Sequence, residues 1–561
     1  MSNVEGHGAI DAVAPEAGRT GEPFFGFRGE DFIATADALA KEAAVHPTLM
    51  LEEQAELVRD IIRVLAGQAG LKPLPKDKRF ADVTWTDNPF YRVFLGGYLA
   101  WTKSLYAFID RTTFDALTKE RARFVAQLIT SALAPSNSLA NPGAIKRVID
   151  TGGSSVVHGL RNMMSDLFAN YGMPSQVDKS AFRVGENLAS TAGSVVFRND
   201  VLELIAYKPQ TAQVHALPLL IVPPQINKFY IFDLSPETSL FDYLLKGGIQ
   251  VFTISWRNPN AAQRNWGMDA YVAAITEAVA VTQEICKVEK INIGGACAGG
   301  LTMSALLGYY AAGSDPNPLN SATHWVSVLD IGSDSVLGMF ATKDILGAAK
   351  ATSALRGVLD GSDMGRIFAW LRPNDLVWNY WVNNYLLGND PPAFDILYWN
   401  SDNTRLPAKF HADLLDCYAE SKFLRPGAMV VLGRPVDIRQ VTLDSYFLSG
   451  ITDHIAQWKH VYRNMKAYSG DRTFVLSAAG HIQCIVNPPA AAARRQYLLN
   501  ADIQADAERW VRDAQVHAGT WWPHWLAWLQ QRSGPQIDAP AQAGSAKYPP
   551  IAPAPGTYVL K

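Results

Sequence analysis

The stretch KINIGGACAGG at residues 290–300 constrains the fold more than any other part of the chain. A short strand-like run leads into glycines two residues on either side of Cys297, and an apolar helical pattern follows at 301–310. The pattern predicts a nucleophile elbow, in which Cys297 stands above a sheet edge at a helix N-terminus that favours a thiolate. A buried cysteine in an ordinary βα turn would give the same local pattern, so the motif alone does not decide.

Composition limits the class of protein. The chain has 561 residues, enough for two or three domains. Its 48% apolar and 18% charged residues are typical of a globular protein with a large core. A net charge of −3, without a basic cluster interleaved with aromatics, argues against nucleic-acid binding. The cysteines show no CxxC spacing, so neither a zinc site nor a disulfide framework is predicted; they are Cys286, Cys297, Cys417 and Cys484.

The N-terminal residues carry no targeting pattern. Residues 1–21 lack the basic and apolar regions of a secretory signal, and no apolar run reaches the roughly 18 residues that a membrane span needs. We therefore expect a cytoplasmic protein with free thiols and no transmembrane segment. Residues 1–25 are small, polar and without period, and we expect them to be disordered.

Hydrophobic periodicity divides the rest of the chain. Residues 26–181 read as an all-helical N-terminal domain with no obvious catalytic cluster. After residue 182 the period becomes strand-like, and residues 194–208 predict a hairpin that turns at Asn199-Asp200. Strands then alternate with helices, which predicts an α/β domain over 182–533 with a mainly parallel sheet. Further strands are predicted at 217–222, 249–256, 326–331, 428–432, 445–450 and 473–476, and before the Cys297 turn.

Two segments depart from this alternation. Residues 338–425 are aromatic and irregular and are interpreted as an insertion over the sheet edge. Aromatic stripes are more often core than ligand site, so a cap or lid is a hypothesis here. Residues 534–561 are rich in proline and alanine and are predicted to form an extended tail.

Three chemically suited residues follow three predicted strands. Their order is Cys297, Asp453, His481, which is the order nucleophile, acid, histidine of the elbow-containing fold. All three should project from one sheet edge, where open α/β sheets bind ligands. His454 lies at the same strand end and is either an alternative base or a hydrogen-bonded neighbour. Together these features predict an α/β-hydrolase fold with an inserted cap.

The predicted chemistry is acyl transfer through cysteine. His481 takes the thiol proton, and the thiolate of Cys297 attacks a carbonyl. The oxyanion would be bound by the backbone N–H of Ala298 and by one from the loop after strand 217–222, with Ile226 as the candidate. An acyl-cysteine is a thioester, which keeps the acyl group activated for transfer to an alcohol. Cysteine therefore favours transfer from a thioester donor over hydrolysis, provided that water is excluded.

Several stretches together resemble the polyhydroxyalkanoate synthases, particularly class II, the medium-chain-length type. The resemblance runs from residue 77 to the tail, and its motifs are residues 77–81 with Trp85 and Asn88-Pro89, PPQINKFYIFDL (223–234), SWRNP (255–259), GACAGG (295–300), YWNSD (398–402), GITDH (450–454) and GHIQ (480–483). It implies that (R)-3-hydroxyacyl-CoA is converted to polyester and free CoA. It also implies that Cys297 carries the growing chain and that His481 activates the thiol. Asp453 would help to activate the 3-hydroxyl of the incoming unit, directly or through His481.

The resemblance implies further properties. Such enzymes work in the cytoplasm at the surface of polyester granules, with granule-associated proteins as partners. They form homodimers, use no metal or cofactor, and have a cap that changes position on activation. We also expect Ser327, Ala479 and Gln483, with His454, to line an acyl pocket, because they lie near His481 or a strand end.

Two other functions compete with the polymerase. One is a hydrolase on the same scaffold, such as an esterase or a polyester depolymerase. Cysteine as the nucleophile and the lack of an export signal argue against it. The other is a non-catalytic granule-binding protein, against which the complete set of three residues argues.

Overall fold

A computed structural model describes residues 29–68, 70–75, 77–332, 335–339, 341–489 and 495–561. The expected disorder of residues 1–25 lies outside these ranges. The strands are β1 (Gly193–Arg198), β2 (Leu202–Tyr207), β3 (Gln213–His215), β4 (Leu219–Val222), β5 (Val251–Trp256), β6 (Ile291–Ala296), β7 (Leu319–Trp325), β8 (Val358–Leu359), β9 (Leu406–Pro407), β10 (Met429–Val431), β11 (Arg434–Val436), β12 (Asp444–Gly450), β13 (Arg472–Ser477), β14 (Gln496–Leu499), β15 (Gln515–Ala518), β16 (Gln536–Asp538) and β17 (Ala552–Pro553).

The main sheet has eleven strands in the described part of the chain, in the order β15-β14-β13-β12-β7-β6-β4-β5-β2-β1-β17. Its centre, from β5 to β13, is parallel, and the strands on both flanks are antiparallel. Every residue of β4, β5 and β6 is buried, as expected for parallel strands covered on both faces. The predicted hairpin and the α/β class are confirmed.

Two strand predictions were wrong. The strand placed at 326–331 lies earlier, at β7, and the chain leaves the sheet at Val326, whose φ is 43°. The run at 428–432 does form β10, but β10 pairs with β11 in a separate hairpin outside the main sheet. A short apolar run indicates a strand without indicating its partner, and this explains the second error.

Helices cover the sheet on both faces. Those of the α/β domain outside the insertion are α8 (Leu240–Lys246), α9 (Met268–Cys286), α10 (Ala298–Ala311), α16 (Trp458–Met465), α17 (His481–Ile485), α18 (Ala507–Arg512) and α19 (Trp522–Gln530). The tryptophans of α19 belong to the core. Trp525 packs edge-on against Trp325, and its indole N–H donates to the Thr323 hydroxyl of β7 at 3.1 Å.

The N-terminal region is helical, as predicted. Its helices are α1 (Gly29–Val45), α2 (Pro47–Leu65), α3 (Thr84–Asp87), α4 (Pro89–Arg111), α5 (Ala116–Ala132), α6 (Pro142–Asp150) and α7 (Ser154–Ala169). The sequence sets several starts: Asn88 accepts a hydrogen bond from the Phe90 N–H at α4, with Pro89 at the first position. None of the helices in the described ranges is both long enough and apolar enough to cross a bilayer.

Helix α2 turns two of its acidic side chains inward. Glu53 pairs with Arg111 at 2.6 Å, and Asp60 pairs with Lys103 at 2.7 Å, both partners lying on α4. The apolar side therefore faces outward. Six of its side chains are 38–64% exposed: Met50, Leu51, Val58, Ile61, Ile62 and Leu65.

The insertion between β7 and β10 forms a cap, as the sequence predicts. It contains β8, β9, two π-helical turns (Asn374–Trp378 and Trp381–Leu386) and the helices α11 (Val336–Met339), α12 (Lys343–Arg356), α13 (Gly361–Leu371), α14 (Asp395–Ser401) and α15 (Ala408–Ala419). The cap packs closely on α7. A Cβ at Gly159 of α7 would lie 2.0 Å from the Tyr385 carbonyl oxygen, and the Tyr385 hydroxyl donates to Asp166 at 2.8 Å. The N-terminal helices and the cap therefore share a tight interface.

The C-terminal tail is extended, but it is docked on the α/β domain. Strand β16 pairs with β3, and β17 pairs with β1 at the sheet edge. Glu203 of β2 anchors the tail through a fully buried carboxylate, which accepts hydrogen bonds from the Thr557 N–H and hydroxyl and from the Tyr558 N–H at 2.8–2.9 Å. Arg198 supplies the counter-charge, with its Nε 2.8 Å from the carboxylate.

We expect Glu203→Gln to lower the free energy of unfolding by about 1–3 kcal/mol, because the amide N–H would face backbone donors in a buried site. Denaturant unfolding measures this loss, and trypsin should cut faster after Lys547. The matched control is Glu237→Gln, since Glu237 is an exposed glutamate. Equal stability of the two variants would show that the buried carboxylate does not anchor the tail.

Candidate active site

Cys297 lies in a strained turn between β6 and α10. Its φ is 49°, in the left-handed region that non-glycine residues rarely adopt. Three hydrogen bonds fix this conformation: the Cys297 N–H donates to the Trp325 carbonyl at 3.0 Å, and the Cys297 carbonyl accepts from the Leu301 N–H at 3.1 Å and the Ser327 hydroxyl at 3.0 Å. The predicted elbow is therefore present, and its backbone is held from the neighbouring strand.

The glycines around Cys297 allow close packing, as the sequence predicts. A Cβ at Gly295 would lie 2.7 Å from the Gly300 Cα. A Cβ at Gly299 would lie 2.4 and 2.5 Å from the carbonyl oxygens of Val222 and Pro223. The start of α10 is thus pressed against both its own strand and the segment that follows β4.

Asp453 and His481 follow the ends of the adjacent parallel strands β12 and β13. The His481 Nδ1 lies 2.7 Å from the Asp453 Oδ2. The other carboxylate oxygen accepts hydrogen bonds from the N–H groups of Ile455 and Ala456, both at 2.9 Å. The Asp453 side chain is 0% exposed, so its contacts within the protein replace those with water.

The charge of His481 depends on its two neighbours. Burial opposes protonation of the imidazole, but the charge of the Asp453 carboxylate, which is hydrogen-bonded to it, and the nearby Cys297 sulfur raise the pKa of His481 to about 10. The structure therefore brings the three predicted residues together. At neutral pH the imidazole is a cation beside the Asp453 carboxylate and the Cys297 sulfur.

Two backbone N–H groups are the candidates for binding an oxyanion. Ala298 is the first residue of α10, so its N–H has no partner within the helix. Ile226 belongs to residues 223–228, which we call the β4 loop. Neither N–H has a hydrogen-bond acceptor among the described residues. The β4 loop is tied to α10 by the Gln225 amide, which donates to the Thr302 hydroxyl at 3.1 Å.

Comparisons with known proteins show the family of the chain. Residues 76–244 match the family model for the N-terminus of poly-beta-hydroxybutyrate polymerase (PhaC), and residues 218–488 match that of the alpha/beta hydrolase fold. The chain is 50% identical over 535 residues to poly(3-hydroxyalkanoate) polymerase 2 of Ectopseudomonas oleovorans, covering 95% of each chain. The chain belongs to the poly(3-hydroxyalkanoate) polymerase family.

Two further relatives agree. Identity is 48% over 537 residues to poly(3-hydroxyalkanoate) polymerase 1 of Ectopseudomonas oleovorans, covering 96% of each chain. It is 40% over 491 residues to the poly(3-hydroxyalkanoate) polymerase subunit PhaC of Cupriavidus necator, covering 86% of this chain and 83% of that one. The resemblance to class II synthases and the α/β-hydrolase fold are thus confirmed, and the protein is an acyltransferase.

The charge of His454 at neutral pH differs from that of His481. Burial lowers the pKa of His454 to about 4, so the side chain is neutral at neutral pH. Its Nδ1 is buried and has no hydrogen-bond partner among the described residues. The sequence left open whether His454 is an alternative base or a hydrogen-bonded neighbour, and its Nδ1 makes no such hydrogen bond within the described residues. Charged groups near His454 include Arg372 and Asp375 of the cap.

The other predicted pocket residues have different surroundings. Ser327 is buried and its hydroxyl is bonded to the Cys297 carbonyl, so it supports the elbow. Gln483 is exposed on α17. Ala479 is half-buried, and its carbonyl accepts from the Thr452 N–H at 3.2 Å. A pocket role for Ser327, Ala479, Gln483 and His454 stays a prediction.

Sequence reasoning missed one residue of the site. Tyr418 of α15 belongs to the cap, and burial above all, with a smaller contribution from the nearby Cys297, raises the pKa of its phenol. The only sequence signal is a tyrosine in an apolar helical pattern, which does not distinguish a site residue from a core residue.

We expect Asp453→Asn to lower the pKa of His481, because the largest favourable charge is removed. The folded pKa near 10 lies above the ordinary value of about 6.5. The His481 proton therefore stabilises the fold fully below about pH 6.5, and this contribution is lost as the pH rises through about 10. NMR titration of ¹³C-labelled histidine measures the midpoint, with His481→Gln to identify the resonance. An unchanged midpoint in Asp453→Asn would refute the assignment.

Proposed function

We propose that this polymerase converts (R)-3-hydroxyacyl-CoA, of medium chain length, into polyester with release of CoA, through an acyl group carried on Cys297. The observation that most supports the proposal is the hydrogen bond between His481 and Asp453, with the Cys297 sulfur near enough to help raise the pKa of His481. The family of the chain supports the substrate class, since its relatives are named poly(3-hydroxyalkanoate) polymerases.

The first half-reaction loads the enzyme. The Cys297 thiolate attacks the thioester carbonyl, and the developing oxyanion accepts hydrogen bonds from the N–H groups of Ala298 and Ile226. The bond from the acyl carbon to the Cys297 sulfur forms as the bond to the CoA sulfur breaks. The proton of His481 passes to the CoA thiolate, which leaves as CoA. His481 is then neutral and can act as a base.

The second half-reaction extends the chain. Neutral His481 takes the proton of the 3-hydroxyl of an incoming hydroxyacyl-CoA, and the oxygen attacks the acyl-Cys297 carbonyl. An ester bond forms, and Cys297 leaves as a thiolate beside protonated His481. The lengthened chain is still a CoA thioester, so it returns to Cys297 by the first half-reaction.

Asp453 acts through His481 in this scheme. Its carboxylate is fully buried, and both oxygens already accept hydrogen bonds, from His481 and from the backbone at Ile455 and Ala456. These contacts support an indirect role over direct contact with the substrate hydroxyl. The carboxylate stabilises the imidazolium that forms when the hydroxyl proton is taken.

We expect Cys297→Ala to abolish CoA release from (R)-3-hydroxyoctanoyl-CoA. Asp453→Asn should slow elongation about 100-fold or more, because the alcohol must lose its proton to a base before it can attack. First acylation should be slowed less, because a thiolate leaving group depends less on protonation by an acid. Rapid-quench measurement of the first CoA released, followed by steady-state polymer formation, separates the two steps. Elongation at the wild-type rate in Asp453→Asn would refute the role given to Asp453.

The same assay separates the competing functions. A polymerase yields polymer and CoA, a hydrolase yields free 3-hydroxy acid and CoA, and a non-catalytic granule protein releases no CoA. The cap favours the first outcome, since acyl transfer to an alcohol requires that water be kept from the acyl-cysteine.

We also propose that the enzyme works at the granule surface in the cytoplasm and that the outward side of α2 contacts the polyester. Exposed apolar patches of this kind mark interaction sites in water-soluble proteins. Glu53 and Asp60 of α2 point inward in ion pairs, and six apolar side chains of the helix are exposed in the described structure. A second apolar row lies on α7; its exposed members are Val156, Val157, Leu160, Met163, Met164, Leu167 and Phe168.

We expect Ile62→Glu to reduce the fraction of enzyme that sediments with polyester granules several-fold, because a carboxylate would have to leave water at the contact. The matched control is Gln54→Glu, which adds the same charge at an exposed polar position of α2. CoA release by the free enzyme should be unchanged in both. Equal sedimentation of Ile62→Glu and the control would exclude this side of α2 as the contact.

A further inference from the structure

The cap is hydrogen-bonded to the β4 loop through Thr404. The Thr404 side chain is buried, its hydroxyl donates to the Gln225 carbonyl at 2.6 Å, and its N–H donates to the Ile226 carbonyl at 3.3 Å. Thr404 lies 179 residues along the chain from Gln225, on the segment that joins α14 to β9. A single cap residue thus holds two consecutive carbonyls of the loop.

One of these carbonyls determines the direction of the candidate oxyanion donor. The Gln225 C=O and the Ile226 N–H belong to the same peptide group, which is planar and trans, so they point in opposite directions. A hydroxyl that fixes the carbonyl from one side therefore aims the N–H toward the other. We propose that Thr404 is a positioning residue for acyl transfer, which it serves by aiming the Ile226 N–H. The inference rests on the proposed function.

The surrounding contacts divide the loop between the core and the cap. The core holds it through the Trp256 indole N–H, which donates to the Pro223 carbonyl at 2.8 Å, and through the Gln225 side chain on α10. The cap holds its far end, where the Asp402 carboxylate is 2.8 Å from the Lys228 ammonium. Only the cap holds the Gln225 carbonyl among the described residues.

The consequence is a link between cap position and catalytic power. With the cap in contact, the loop presents the Ile226 N–H, and water is excluded from the site. A displacement of the cap that separates Thr404 from Gln225 frees this peptide group to rotate. The oxyanion then loses one donor at the moment when water can enter, so hydrolysis of the acyl-cysteine is slowed as well.

Thr404→Val tests the proposal, because valine keeps the shape and the backbone N–H but removes the hydroxyl. With (R)-3-hydroxyoctanoyl-CoA as the probe, we expect kcat to fall about 10- to 100-fold with little change in KM. Thr404→Ser should recover most of the rate. Alkylation of Cys297 by iodoacetamide, followed by mass spectrometry, should proceed at the wild-type rate, because it forms no oxyanion. Ser401→Ala is the matched control, since the Ser401 hydroxyl donates to the Tyr398 carbonyl of its own helix at 2.8 Å.

Three results would overturn the proposal. These are turnover of Thr404→Val at the wild-type rate, a parallel fall of alkylation and acylation, and a failure of Thr404→Ser to recover activity. Thr404→Ala replaces the valine variant if the latter does not fold. Failure of the proposed function would be seen in a different variant, because CoA release by Cys297→Ala would refute the acyl-Cys297 mechanism. If Cys297→Ala is inactive and Thr404→Val is fully active, only the role of Thr404 is refuted.

Discussion

The hydrogen bond between the Asp453 carboxylate and the His481 imidazole is the interaction on which the site depends. Without it, burial would leave His481 neutral, as it leaves His454 neutral one residue from the same carboxylate. Two histidines at one sheet edge thus have opposite charge states at neutral pH, and the Asp453 contact, together with the nearby Cys297 sulfur, makes the difference. The local environment, not the residue type, assigns the proton and hence the chemistry.

The sheet makes this contact possible. Strands β6, β7, β12 and β13 are consecutive neighbours in the parallel centre, so residues that follow them emerge at one edge. This is why the order and spacing of Cys297, Asp453 and His481 could be interpreted from the sequence. The position of Cys297 could also be predicted, because the glycines at 295 and 299 permit the close packing that a turn between a strand and a helix requires. The α/β class and the cap followed from changes in hydrophobic period.

The sequence could not predict the contacts made across long separations. Thr404 and Gln225 are far apart in the chain, and nothing in either motif indicates that they meet. The chain leaves β7 earlier than its apolar run suggests, and nothing in the sequence indicated that the Ser327 hydroxyl would bind the Cys297 carbonyl. Helix α2 is amphipathic, as its pattern indicates. The pattern shows which side of the helix is apolar, but not whether that side faces the core or the solvent. Here Arg111 and Lys103 form ion pairs with two acidic side chains of α2, which therefore point inward.

The cap connects the three parts of the molecule. It packs against α7 through Gly159 and Tyr385, and it holds the β4 loop through Thr404. The cap thus contacts the helix that carries the apolar row, α7, and also the β4 loop, which carries a candidate oxyanion donor. A displacement of the N-terminal helices would therefore reach the loop through the packed cap, because closely packed interiors deform little. In the proposed mechanism, the shielding of an acyl-cysteine and the direction of the Ile226 N–H would then change together, because the cap serves both.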